Sequence, residues 1–411
     1  MYKRQLNVYG TFAITAITAQ NTMGVSSVFE IPPQIVAEQI ESVIYDMEVK
    51  YVKTGMLYSP EIVEVVANQI KKYGIPLVID PVIFAERDGV LLKEEAIDVL
   101  IKKLIPLSRV ITPNIQEASI LSRIEIRNLK DVKEAAMKIR EFGVEAVIIT
   151  GGHLEGEDVL YDGDFSFIKG PLIKRGTHGS GCTYSAAITA QLAKGKDLYE
   201  SAIFAKRFIR HAIIGGKKVG RGNNPIDPVF NLHREVERNT VRENVKKAVE
   251  MIRKHEFLAS VIPEVGCNIG MGISAAEKRE DIAAIEGRIV KMGGRPHPVG
   301  CVEFGASDHI SRVILRAMES DEKMRAAMNI RFDEKILSTC EKLGMKIASF
   351  ERREEPEGVK TMDWGIERAI RSKGYVPDVI YDRGGKGKEA MIRILGRDAI
   401  DVMKKAIRIC K

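Results

Sequence analysis

Seven residues, Gly176-Thr177-His178-Gly179-Ser180-Gly181-Cys182, put three glycines and a thiol at the start of a small-residue run, Thr183-Tyr184-Ser185-Ala186-Ala187-Ile188-Thr189-Ala190. A glycine turn that opens a helix lets backbone N–H groups close on an anion, and the helix N-terminus adds positive potential. Gly179, Ser180 and Gly181 are therefore the candidate anion hole. Cys182 stands where a reacting group would be met, as base or as positioner. Phosphoryl transfer from a nucleotide needs such a cradle, a metal-associated acidic or amide group, and something to hold the attacking hydroxyl. Asp80, Asn114 and Glu117 are placed to serve the second need, through waters on a Mg²⁺ ion that takes few direct carboxylates.

The elements around this loop must bring those residues together. Strand-like and helix-like stretches alternate along the first half. Residues 10–18 read as a buried strand, and Pro32-Pro33 opens a helix to about Asp46. Val49 to Lys53, Ile75 to Ile79, Val110-Ile111 and Ala146 to Thr150 read as strands, with helices between them and a hairpin at 158–168. The alternation predicts an α/β fold with a mainly parallel sheet covered by helices on both faces. Ligands bind beyond the carboxyl ends of such strands. Gln20, Thr54, Gly55, Met56, Asp80, Asn114, Glu117, Gly151, Gly152 and His153 fall at those ends.

The chain has 411 residues, 45% hydrophobic and 29% charged, which predicts two globular domains. No apolar run is long enough for a membrane span, and no signal core opens the chain. Five scattered cysteines without a CxxC pair predict a reducing cytoplasm and neither a disulfide frame nor a zinc site. The net charge of +7 suits anionic small substrates, and no aromatic-plus-basic strip marks nucleic-acid binding. A homo-oligomer is expected. The Gly-, Pro- and Lys-rich stretch from Gly215 to Pro225 reads as a domain boundary, followed by a connecting helix from about Arg238 to Lys254. The domains are placed at 1–230 and 256–411, with 231–255 as linker and connecting helix.

The segments Thr18 to Thr22, Lys53 to Leu57, Asp80-Pro81-Val82, Thr112 to Ala118, Gly151 to Leu154 and Thr177 to Cys182 resemble the hydroxymethylpyrimidine and hydroxymethylpyrimidine-phosphate kinases, ribokinase-like enzymes of thiamine biosynthesis. The resemblance is collinear from residue 6 to about 230. It implies that ATP phosphorylates the pyrimidine alcohol and then its monophosphate. It assigns Gln20 and Met56 to the pyrimidine, Cys182 to the reacting hydroxyl, and Gly179 to Gly181 to the anion hole. The family pattern begins with a strand and a Gly-Ser-Asp-x-x-Gly-Gly-Ala-Gly segment, whereas this chain starts inside the following helix, so an N-terminally truncated kinase domain is expected. The family's usual Lys before Gly151 is Thr150, and its Lys-Asn before Thr177 is Arg175-Gly176.

In the second half, strands are expected at 258–262, 287–292, 345–350, 379–382 and 390–395, and helices at 307–319, 362–372 and 398–409. Glycine turns flanked by cations, such as Arg383-Gly384-Gly385-Lys386, suit phosphate or pyrophosphate. Gly287-Arg288, Glu303 to His309, Ala326 to Arg331 and Met362 to Gly365 resemble the thiamine-phosphate synthase domain often fused behind this kinase in archaea. That resemblance implies a second, smaller α/β domain that joins the pyrimidine diphosphate to hydroxyethylthiazole phosphate. Arg288 and His309 are the expected essential pair, with Mg²⁺ assisting. A ligand-sensing role for this domain, with a kinase inactive or acting on another small alcohol such as pyridoxal, is the alternative.

Overall fold

The computed structural model describes residues 5–84, 91–151, 156–170, 172–173, 178–354, 361–385 and 387–410. Gly152, His153, Arg175, Gly176, Thr177 and Lys386 lie outside the described residues. The chain divides into two compact units, Met1–Leu232 and His233–Lys411. The helix Phe230–Lys254 runs across that division.

In the first unit, β1 (Ala16–Asn21) and β2 (Gly24–Glu30) form a separate antiparallel hairpin. A six-stranded sheet then follows chain order: β3 (Val52–Thr54), β4 (Leu77–Ile79), β5 (Ser108–Ile111), β6 (Ala146–Ile149), β7 (Asp158–Tyr161) and β8 (Phe165–Ile168). The first four strands are parallel and the last two antiparallel. Period-two alternation sorts the side chains between two cores. Leu77, Ile79, Ile111, Val147 and Ile149 pack against the helices Pro60–Tyr73, Ile115–Ser122 and Leu129–Arg140. Val78, Val110, Ala146 and Ile148 pack against Ser180–Ala193 and Leu198–Gly215. This is the doubly covered, mainly parallel sheet that the sequence predicts.

The stretch 10–18 is corrected. It contributes no strand to the core sheet: Phe12 is 79% and Ile17 54% exposed, and the extended segment turns back on itself as the hairpin. Alternating apolar residues match a half-buried strand, but here the apolar side faces outward.

The second unit carries a seven-stranded sheet in the order β13-β10-β9-β14-β17-β16-β15. The strands are β9 (Ile269–Gly272), β10 (Ile282–Ile285), β13 (Val302–Phe304), β14 (Ala326–Arg331), β15 (Ile347–Ser349), β16 (Val379–Asp382) and β17 (Met391–Gly396), with β11 (Ile289–Met292) and β12 (Arg295–Pro298) as a side hairpin. Residues 258–262 are corrected too: Glu256–Val261 is a 3₁₀ turn whose Leu258, Ala259 and Val261 are buried without strand pairing. One face of the sheet, with Met328, Ile392 and Ile394, meets the helices Phe230–Lys254 and Ala399–Cys410. The other, with Ala327, Ile380 and Leu395, meets Asp308–Ser320 and Thr361–Lys373. By strand alternation Asn329, Asp382 and Arg393 share this second face.

Candidate active sites

The helix Ser180–Ala193 begins at Gly179, whose φ of +85° is open to glycine at little cost. Among the described residues no side chain caps this end. The first N–H groups of a helix have no carbonyl partner inside it, so Ser180, Gly181 and Cys182 present free donors at a positive helix end. Asp80, buried at the end of β4, lies beneath that first turn and accepts from Ser185 Oγ at 3.1 Å. Lys53 Nζ, from β3, stands 3.2 Å from the same carboxylate. Burial pulls the Lys53 ammonium toward the neutral form, but Asp80 and Cys182 outweigh it and hold its pKa above the usual lysine value.

Cys182 is open to solvent on one side, yet protein crowds its thiol from the others. Burial first, and then Asp80, push the thiol up to about 11 against the opposing pull of Lys53. At neutral pH Cys182 is therefore a protonated donor and not a thiolate. A protonated thiol can donate a hydrogen bond to a reacting group but cannot take a proton from it.

Glu117 and Asn114 form a reciprocal cap on the helix Ile115–Ser122: Asn114 Oδ1 accepts from Glu117 N, and Glu117 Oε2 accepts from Asn114 N, both at 2.9 Å. The other Glu117 oxygen accepts from Ile83 N. Burial and the nearby Asp80 raise its carboxyl to about 7. Among the described residues no three His, Cys, Asp or Glu side chains converge as direct metal ligands. The Asp80 carboxylate is close enough to act on Glu117, and this local negative charge fits a divalent cation bound through water.

The structure does not put Gln20 and Met56 in one cavity. Met56, with Lys53 and Gly55, lines a cavity of about 380 Å³ beside β3, whereas Gln20 lies exposed on the hairpin. A second cavity, about 180 Å³, flanks the helix start and is lined by Thr150, Ser180, Gly181, Tyr184, Lys206 and Ile209. Lys206 Nζ reaches the buried Asp158 Oδ1 at 2.6 Å. Lys206 thus stands near where the family's lysine is replaced by Thr150. A strap at 220–226 ties the hairpin to the anion loop. Asn223 N donates to Thr22 O at 2.9 Å, and His178 N donates to Asn224 O at 3.3 Å. Any side chain at Gly222 would collide with the Thr22 carbonyl, 1.7 Å from where its Cβ would stand.

Lys53 was not among the sequence candidates. Its signal was a lone charge inside a short strand, one residue before the Thr54-Gly55 turn.

In the second unit, Arg288 sits in the left-handed region at φ +77°, and its guanidinium donates to Val265 O. A non-glycine residue there stores backbone strain of about 1–3 kcal/mol. His309 lies in the first turn of the helix Asp308–Ser320. Burial first, then Arg393, Arg352 and Arg288, lower its pKa to about 3, against a weaker pull from Asp382. Arg288 and His309 thus share one electrostatic neighbourhood, but His309 is no preset cation. Its imidazole stays neutral through the range where a free histidine charges. In the chain without substrates, its C–H proton NMR resonances are expected to stay flat between pH 8 and pH 5. An inflection near 6.5 would refute this.

Arg383 is turned away from this neighbourhood. It pairs with Glu334 and lies over the Phe332 ring. Gly384 N donates to Asp382 Oδ1 at 2.9 Å, and Gly385 lies beside Arg352, so part of the glycine loop does border the cluster. Arg352 and Arg393 were missed. Arg393 had a readable signal: one arginine inside the apolar strand Met391-Ile392-Arg393-Ile394-Leu395.

The fold of the first unit is that of the ribokinase-like phosphotransferases. It is similar to Bacillus subtilis pyridoxal kinase in an ADP complex (36% identity, TM-score 0.52, 56% of this chain and 90% of that one). Staphylococcus aureus pyridoxal kinase with ADP is similar at 33% identity and TM-score 0.52, over 56% of this chain and 86% of that one. The phosphomethylpyrimidine kinase family model matches residues 3–227, and the thiamine-phosphate synthase ThiN model matches 244–408. Over its length the chain is 36% identical to the bifunctional thiamine biosynthesis protein ThiDN of Methanocaldococcus jannaschii, covering 97% of this chain and 91% of that protein. The hydroxymethylpyrimidine/phosphomethylpyrimidine kinase of Aquifex aeolicus is 42% identical over 54% of this chain and 90% of its own. The chain belongs to the phosphomethylpyrimidine kinase family, in the bifunctional form that carries a thiamine-phosphate synthase domain. It is a thiamine-biosynthesis enzyme with kinase and synthase activities, and the sensing alternative is not favoured. As a member of this kinase family it uses ATP. No helix among the described residues is long and apolar enough to cross a membrane.

Proposed function

We propose that residues 1–230 phosphorylate hydroxymethylpyrimidine phosphate from ATP, that 231–255 connect the domains, and that residues 256–411 condense the resulting diphosphate with hydroxyethylthiazole phosphate. The observation that carries the kinase assignment is the Lys53–Asp80–Cys182 cluster under the open N-terminus of Ser180–Ala193. The Gly179-Ser180-Gly181 donors hold the phosphoryl group as charge builds on it. Cys182 holds the acceptor group, the phosphate of hydroxymethylpyrimidine phosphate. One of its oxygens bonds to phosphorus as the bond to the leaving ADP oxygen breaks, and the dianionic acceptor needs no proton acceptor in this step. Lys53 steadies the Asp80 carboxylate throughout. Mg²⁺, held through water by Asp80, Asn114 and Glu117, would neutralise charge on the phosphates. Met56 bounds the pyrimidine side, and Gln20, on the first strand of the hairpin, is the second residue assigned to the ring.

In the second reaction the thiazole nitrogen bonds to the pyrimidine methylene carbon as the carbon–oxygen bond breaks and pyrophosphate leaves. Arg288 and His309 face the reacting groups, Arg288 as cation and His309 as neutral hydrogen-bond partner. Free cysteines are in keeping with a cytoplasmic enzyme, and exposed Ile17 and Phe29 on the hairpin with a homo-oligomer. With ATP, Mg²⁺ and both monophosphates, the chain is expected to form thiamine phosphate. Cys182→Ala should lower diphosphate formation by about 10²–10³-fold yet leave condensation of supplied diphosphate intact. Arg288→Ala should do the reverse. Loss of both steps in either variant, or no product from the wild type with supplied diphosphate, overturns the assignment.

A further inference from the structure

The second face of the seven-stranded sheet buries more positive charge than it neutralises. Arg393 on β17 is wholly buried, with its guanidinium Nη2 2.9 Å from Asp382 Oδ2. Among the described residues that carboxylate is its ion-pair partner, and its Nε and Nη1 have no hydrogen-bond partner. Phe350 covers part of the guanidinium, its ring centre 5.4 Å away. Arg352 also pairs with Asp382, donating from Nε at 2.5 Å and from Nη2 at 3.2 Å. One carboxylate thus serves two guanidiniums. His309 Nε2 is also buried and unpartnered, and it feels the charges of Arg393, Arg352 and Arg288. Among the charges that act most on His309, Asp382 is the anion set against these three arginines. Buried donors without acceptors are costly and rare. A cluster that keeps both unpaired donors and surplus positive charge is complementary to a phosphoryl oxyanion.

We infer that Arg393 and Arg352, with His309, form the oxyanion-binding end of the second unit's site, and that Asp382 sets the position of the two guanidiniums. Given the condensation reaction proposed above, the oxyanion is the diphosphate of the pyrimidine substrate or the phosphate of the thiazole. A planar guanidinium offers paired donors to either, which a lysine cannot reproduce.

Trp364, the chain's single tryptophan, packs edge-on against the same Phe350 at 6.2 Å between ring centres. Its fluorescence therefore reads this end of the second unit. Titration of the full chain with inorganic pyrophosphate is expected to give a saturable change in Trp364 emission. Arg352→Gln and Arg393→Lys should each weaken that binding by roughly tenfold or more, with thermal melts confirming that both variants fold. Steady-state condensation separates the two sources: the KM that rises by about the same factor identifies whether the diphosphate or the thiazole phosphate occupies this end. Absence of pyrophosphate binding by the wild type, or binding by both folded variants within about twofold of wild type, overturns the inference. Arginine-dependent pyrophosphate binding without condensation of supplied substrates would uphold the oxyanion site and remove the synthase reading on which its natural ligand rests.

Discussion

Replacing Lys53 by methionine is expected to leave the Asp80 carboxylate buried without its cation, next to the Glu117 carboxyl that already shares its space. Removing one partner of a buried pair costs about 3–5 kcal/mol, because the other charge cannot return to water. The first unit should lose that much stability in a denaturant titration followed by circular dichroism. Phosphorylation should fall by about 10²–10³-fold, the scale of a lost charge-stabilising group. The double variant Lys53→Met/Asp80→Asn separates the two effects. It removes the stranded charge and should recover most of the stability but none of the activity. Recovered activity in the double variant would show that Lys53 serves only to neutralise Asp80 for folding. A single variant of wild-type stability would show that the pair is not buried as described.

Asp382→Asn is the corresponding experiment in the second unit. It leaves Arg352 and Arg393 facing each other with no carboxylate between them. A loss of about 3–5 kcal/mol is expected at pH 7, read from urea unfolding by Trp364 fluorescence. Burial opposes ionisation of Asp382, but hydrogen bonds from Arg352 and the charges of Arg393 and Arg352 outweigh it and hold the carboxyl below the usual aspartate range. A depressed carboxyl contributes stability that is complete above its unfolded pKa of about 3.9 and is lost as pH falls through its lower folded value. The gap between wild type and variant should therefore be full at pH 7 and narrow below about pH 4. Added pyrophosphate should rescue the variant proportionately more than the wild type. A gap that stays constant down to pH 2, or no gap at all, would refute the account.

The parallel strands of the first sheet were legible because each buried strand ends in polar or glycine residues, as at Asp80, Asn114 and Gly151. The anion loop was legible for a related reason: Gly179, Gly181 and Cys182 are residue types a phosphate cradle can use. What the sequence concealed was direction. Ile17 and Phe29, directly paired across the hairpin, are residue types of a core strand, and nothing local says that their side of the hairpin faces out. Lys53, Arg352 and Arg393 escaped for another reason. A charge is read as surface by default, and only packing from distant segments makes these three buried. The same packing decides the state of His309, which by residue type alone is a candidate cation and in place is a neutral ring.

The strap at 220–226 also sets an order of events during synthesis. Thr22 is held by Gly222 and Asn223, and His178 by Asn224, so the hairpin tip waits for partners made some two hundred residues later. Chains fold as they leave the ribosome, one domain at a time and from the N-terminus. The sheet from β3 to β8 has all its strands by residue 168, well before the strap exists. The last contacts to close in the first unit are thus those that tie the hairpin to the anion loop. A nascent chain can hold a nearly complete core and still have no enzyme, and a ribosome stalled before residue 226 would carry an open, unlatched kinase.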